Sequence, residues 1–174
     1  MLLDKLREIN AIRDREFWDG LLTDVTTFEQ LGLHAATLKQ LATIGYEKPS
    51  PIQAALIPIA ITGKDCIGQA RTGTGKTAAF MLPTMEQVDP SLPRVQALVL
   101  APTRELSEQV YAESKRLAGN LKLKFALGVG GRPMGRQIDD LRGGAQIVIG
   151  TPGRVIDLLK RGHLKLNDLF IAVL

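Results

Sequence analysis

The 174-residue chain is long enough to bury a sizeable core in one domain, and its 45% apolar and 23% charged content is ordinary for a globular protein. No uncharged apolar run approaches the roughly 18 residues of a membrane span, and Asp4, Lys5, Arg7 and Glu8 follow Leu2 and Leu3 too closely for a signal peptide, so a cytoplasmic location is expected. The net charge of +4 is unevenly spread: residues 1–30 hold four basic and seven acidic side chains, whereas residues 122–165 hold nine basic against three acidic, a balance compatible with a polyanion partner on one face and equally with a solvated surface.

In chain order, residues 2–22 place Leu2, Leu3, Leu6, Ile9, Ile12, Phe17, Trp18, Leu21 and Leu22 at largely helical spacing. An amphipathic N-terminal extension over 1–25 fits an arm, a dimer contact or a flank packed on the domain. From Thr26 onward the pattern alternates. Helices are expected over 28–43, 51–61, 76–87, 104–118, 134–142 and 153–161. Strands are expected over 65–69, 95–100, 123–129, 146–150 and 170–174. The strands are continuous apolar runs, such as Ala97-Leu98-Val99-Leu100, which suit a parallel sheet covered by helices on both faces. The single cysteine, Cys66, falls in the first run and is expected as a buried core thiol; no intrachain disulfide is possible, and His34 and His163 have no zinc-ligand spacing. Ligands of such sheets bind beyond the C-terminal ends of the strands. Those ends carry Gln69 to Gly73, Ala101-Pro102-Thr103-Arg104, Gly130-Gly131 and Thr151-Pro152-Gly153-Arg154, so four small or basic loops are expected along one edge of one sheet.

Ala70-Arg71-Thr72-Gly73-Thr74-Gly75-Lys76-Thr77 reads as a nucleotide-phosphate loop, with Ala70 where the first glycine of the general pattern stands. Gly73 and Gly75 let backbone N–H groups close around phosphate oxygens, and the helix that follows adds its positive end. Lys76 suits the β and γ phosphates, and the Thr77 hydroxyl suits Mg²⁺. Ser50-Pro51-Ile52-Gln53 is a capping box, with Ser50 at N-cap, Pro51 at N1 and Gln53 at N3.

Together these motifs make residues 26–174 resemble the first RecA-like domain of a DEAD-box ATP-dependent RNA helicase of the bacterial type. Gly45 to Gln53 is similar to that family's Q motif, with Phe28 seventeen residues before Gly45 in the place of its upstream aromatic. The resemblance implies that Gln53 reads the adenine edge while Phe28 and Tyr46 build the base pocket. Ser50 can cap the helix at the same time. Ala70 to Thr77 resembles the family's motif I, in which alanine is the usual first residue. Pro102, Thr103, Arg104 and Glu105 resemble motif Ia, Gly130 and Gly131 the GG step, and Thr151, Pro152, Gly153 and Arg154 motif Ib. In the family these three loops hold the sugar-phosphate backbone of one RNA strand. Contacts of that kind do not read bases, so sequence-independent RNA binding is expected.

The resemblance thus implies an α/β, RecA-like P-loop NTPase fold with a mostly parallel sheet flanked by helices, and ATP and Mg²⁺ as cofactors. The carboxylates that hold the metal and position water would follow Leu174 in the family, as would its second domain. The chain is therefore expected to be C-terminally incomplete, with no catalytic residue of its own, marginal in stability, and inactive by itself although its parent unwinds RNA. A non-catalytic nucleotide- or RNA-binding remnant is the alternative. A different P-loop enzyme, such as a kinase, is disfavoured by the Q motif and Thr151-Pro152-Gly153-Arg154.

Overall fold

The computed structural model describes residues 25–174, so the helical spacing at residues 2–22 lies outside the described residues. The chain divides into two compact units, one running through Pro83 and the other from Thr84 to Leu174.

In the first unit a 3-10 turn, Phe28–Leu31, precedes helices α1, Ala35–Thr43, and α2, Pro51–Ala60. The single helix expected over 28–43 is thus split. The chain reverses at Gly32, whose φ of 78° is left-handed, and α1 starts afresh after His34. Phe28 and Leu31 are buried below the turn, which packs on α2. Pro51 opens α2 at N1, where its missing N–H costs nothing. Gln53 returns its Oε1 to the Ser50 N–H at 2.9 Å. Helix α3, Lys76–Gln87, begins in this unit and ends in the other.

The expected strand at 65–69 does not form. Residues 64–70 have no ladder partner among the described residues, and an extended segment without a partner leaves its main-chain groups to water. Ile67 is 64% exposed. Cys66 is half-buried, not a core thiol, and its Sγ donates to the Lys64 carbonyl at 3.2 Å. Partial burial, and then the neighbouring Asp65 charge, push that thiol's pKa up.

The second unit is built on four parallel strands: β1, Ala97–Leu100; β2, Phe125–Gly128; β3, Ile147–Gly150; and β4, Ile171–Val173. Their spatial order is β2-β3-β1-β4, with Ala97 opposite both Ile147 and Ile171, and Phe125 opposite Ile147. Helices α4, Arg104–Ala118; α5, Met134–Arg142; and α6, Pro152–Lys160, occupy the three connections between β1 and β4. Alternation along the strands sends side chains to both faces. Leu98, Ala126 and Val148 pack with Val155 and Leu158 of α6 in one cluster. Helix α4 lies on β2 and β3, contributing buried Val110 and Leu117, with Tyr111 edge-on to Phe125 at 6.5 Å between centroids. Helices α3, α4 and α5 begin and end at the expected residues, and α6 is one residue earlier at each end.

The N-terminal ends of the strands are stapled by buried amides. Gln96 accepts from the Asp89 N–H and donates to the Asp89 and Leu92 carbonyls, and Gln146 joins the Lys124 N–H to the Pro90 carbonyl. This end is held by side chains, whereas the C-terminal ends carry the loops singled out in the sequence.

Candidate nucleotide and nucleic-acid sites

In the first unit the phosphate loop is closed by its own side chains. Gly73 and Gly75 both take left-handed φ values, 79° and 83°. At Gly75 a Cβ would collide with the Gln53 amide nitrogen, so only glycine leaves room there. Gln53 is almost fully buried, and its Nε2 donates to the Gly75 carbonyl at 3.1 Å while its Oε1 accepts from the Ser50 N–H. One amide thus ties the start of α2 to the phosphate loop. Gly75 O also accepts the first helical bond of α3, from Ala79 N at 3.1 Å. Lys76 donates through Nζ to the Ala70 carbonyl at 2.6 Å, and Thr74 Oγ1 donates to the Arg71 carbonyl at 2.7 Å. Arg71, Thr72 and Gly73 are exposed, and Thr77 is half-buried on the first turn of α3.

These residues fit a nucleotide phosphate and its metal. The donor set is an ammonium, a hydroxyl and the first-turn N–H groups of α3, which have no partner within the helix. The buried Ser50 Oγ, which has no hydrogen-bond partner, lies 3.3 Å from where a Cβ on Gly75 would sit. Among the described residues no group of three or more histidine, cysteine or carboxylate side chains could hold a metal ion. The two aromatics meet: Phe28 and Tyr46 are edge-to-face with centroids 5.9 Å apart. Phe28 is 4% exposed and Tyr46 half-buried, which makes Tyr46 the more accessible ring.

In the second unit three of the four expected loops do follow adjacent strands. Along the C-terminal edge run Gly130-Gly131 after β2, Thr151 to Arg154 after β3, and Pro102 to Glu105 after β1. The strand ladder continues into them, with the Thr151 N–H on the Gly128 carbonyl at 2.9 Å and the Ala101 N–H on the Gly150 carbonyl at 3.0 Å. The fourth loop, at 70–77, belongs to the other unit and follows no strand, so the expectation of four loops on one sheet is corrected to three. Helices α4 and α6 start at this edge, directing the positive ends of their dipoles there. Thr103 caps α4 by accepting from the Leu106 N–H at 3.2 Å, whereas Thr151 makes no side-chain cap bond, leaving its hydroxyl available.

The arginines differ in how they are presented. Arg104 is 44% exposed at its side chain but Arg154 only 17%, with Nη1 of Arg154 3.6 Å from Met134 Sδ and Nε 4.0 Å from Asp157. Asp157 is engaged more closely by Arg161 at 2.6 Å, and that hydrogen bond holds its carboxyl below the usual aspartate range. Glu105 is exposed in the first turn of α4, where the helix dipole favours a carboxylate.

Three residues absent from the sequence-based site are bonded to these edge loops. Glu108 Oε1 accepts from Nε of both Arg104 and Arg132, at 2.9 Å each, and these two bonds, Arg104 first, hold its carboxyl below the ordinary glutamate range. The Arg104–Glu108 pair has i,i+4 spacing, a signal readable in the sequence. The reach to Arg132, 24 residues on, is not. Gln137 is buried and anchors the glycine turn: its Oε1 accepts from the Val129 N–H, and its Nε2 donates to the Val129 and Arg132 carbonyls.

The family model for DEAD/DEAH box helicases matches residues 50–174. The chain is 48% identical over 147 residues to the DEAD-box ATP-dependent RNA helicase CshA of Streptococcus pneumoniae, covering 84% of this chain and 28% of that protein. It is 49% identical over 150 residues to the ATP-dependent RNA helicase DeaD of Escherichia coli, covering 86% of this chain and 24% of that protein. It therefore spans about a quarter of the length of these curated relatives. Among solved structures, a DEAD box protein from Methanococcus jannaschii superposes with a TM-score of 0.78 at 41% identity, covering 83% of this chain and 39% of that one. A Saccharomyces cerevisiae Dbp5 variant bound to RNA and ADP BeF3 superposes at 0.71 with 33% identity, covering 82% of this chain and 36% of that one. The fold is the parallel, helix-flanked sheet of RecA-like helicase domains.

Proposed function

Because the chain belongs to the DEAD/DEAH box helicase family, we propose that it supplies the ATP-binding loop and one part of the RNA-binding surface of an ATP-dependent RNA helicase acting in the cytoplasm. The observation that carries this reading is the joining of the Gly45-to-Gln53 segment to the phosphate loop: the Gln53 amide, bonded to the Ser50 N–H and the Gly75 carbonyl, ties the start of α2 to the backbone that would hold the phosphates. In this reading Lys76 neutralises the β and γ phosphates, Thr77 ligates Mg²⁺, and Gln53 reads adenine beside Tyr46 and Phe28. Arg71, Thr72, Gly73, Thr74 and Gly75 line the phosphate path. Bound ATP with Mg²⁺ supplies the free energy of phosphoryl transfer. The chain's own part is to bind and orient it.

The edge of the second unit holds RNA through its backbone. Thr103, Thr151 and the starts of α4 and α6 offer hydroxyls and N–H groups, Pro102 and Pro152 fix the entries to those helices, and Gly130, Gly131 and Gly153 keep the surface low. Arg104 and Arg154 add charge, and no base is read. A structural relative, a Dbp5 variant, is bound to RNA, which supports RNA as the kind of partner.

Lys76→Ala in the complete polypeptide that carries this chain tests the reading. RNA-stimulated ATP hydrolysis, followed as phosphate release, is expected to fall to background while RNA binding without nucleotide persists. Undiminished hydrolysis refutes the phosphate-loop assignment.

A further inference from the structure

The three-way contact of Arg104, Glu108 and Arg132 has a geometry that a surface ion pair does not require. Both guanidiniums spend Nε on the same oxygen, Oε1 of Glu108. Their terminal Nη groups make no hydrogen bond among the described residues. The two arginines come from different elements, the first turn of α4 and the turn that follows β2. The strands that feed these elements, β1 and β2, are separated by β3. Arg104 Nη1 lies in the space that a Cβ on Gly131 would take, 2.5 Å away, so the glycine turn is shaped around this guanidinium. Gln137 fixes the same turn from below through the Arg132 carbonyl. Two like charges held this close repel unless a carboxylate sits between them.

We propose that Glu108 is a positioning residue for RNA binding: it brackets Arg104 and Arg132 into one rigid pair whose free Nη edges meet consecutive phosphates. The proposal rests on the RNA reading of this edge. It makes a prediction opposite in sign to charge counting. A carboxylate beside a polyanion opposes binding, so its removal should tighten binding if Glu108 acts only through its charge. If Glu108 positions the arginines, its removal loosens binding.

The test uses the complete polypeptide, a single-stranded oligouridylate as probe, and several salt concentrations. Glu108→Ala is expected to weaken binding by about threefold to tenfold and to lower the salt slope by about one unit. Glu108→Gln, which keeps an acceptor oxygen, falls between the two proteins. In the absence of RNA, the Nε–H resonances of Arg104 and Arg132 are expected to shift together in Glu108→Ala at an unchanged melting temperature. Equal or tighter binding by Glu108→Ala overturns the proposal while leaving the RNA reading intact. Unmoved Nε–H resonances overturn it whatever the RNA result. Failure of the unsubstituted protein to bind the probe overturns the RNA reading, and the positioning role with it.

Discussion

At the scale of single residues, the loops are shaped by what occupies the space of absent side chains. Gly131 is the sharpest case. Its φ of 73° disfavours alanine by about 1–2 kcal/mol. An added Cβ would also press on the end of Arg104 and strain its bond to Glu108. Gly131→Ala is therefore expected to lower the melting temperature by several degrees and to weaken RNA binding, both measurable on one preparation. A melting shift with unchanged RNA affinity would mean that Arg104 does not meet RNA from its present position. Lys76, Gly75 and Gln53 were singled out by residue type and spacing alone. Glu108 and Gln137 were not, since each acts through a partner fixed only by the folded turn between β2 and α5.

At the scale of elements, locally determined features were the readable ones. Helix α4 begins at a threonine cap and ends before Gly119 with Lys115 and Arg116 in its last turn, so both its ends are written in its own residues. Gly32 carries the same kind of information and was passed over, because the apolar spacing on either side continues across it. Strands depend instead on partners. Strand β3 is paired on both sides and wholly buried, whereas among the described residues β4 pairs with β1 alone and has Ala172 exposed between two half-buried neighbours. Amide exchange should follow that difference: the β3 amides are expected to be the slowest of the sheet and the β4 amides faster by orders of magnitude. Equal protection in native-state exchange measured by NMR would show that β4 opens only with the whole unit.

At the scale of the whole molecule, the proposed roles fall to two compact units. The residues proposed to read the base and hold the phosphates lie before Pro83, and the basic excess of residues 122–165 lies in the unit that carries the three sheet-edge loops. Parallel alternation was readable for the second unit because strands β1, β2 and β3 are apolar, largely buried runs, each followed by a helix. It failed at 65–69, where no apolar run can report whether a ladder exists. No helix among the described residues is long and apolar enough to cross a membrane. The hydrogen bond from Lys76 to the Ala70 carbonyl has a kinetic meaning. In the proposed reading an arriving nucleotide competes with a bond the loop already makes to itself, so binding is an exchange that waits for the loop to let go. In stopped-flow mixing with a fluorescent nucleotide analogue, the observed association rate is expected to rise with concentration and then level off at the loop's own release rate. A rise that stays linear to the highest concentration would mean that the lysine lets go faster than nucleotide arrives, and that encounter alone sets the pace.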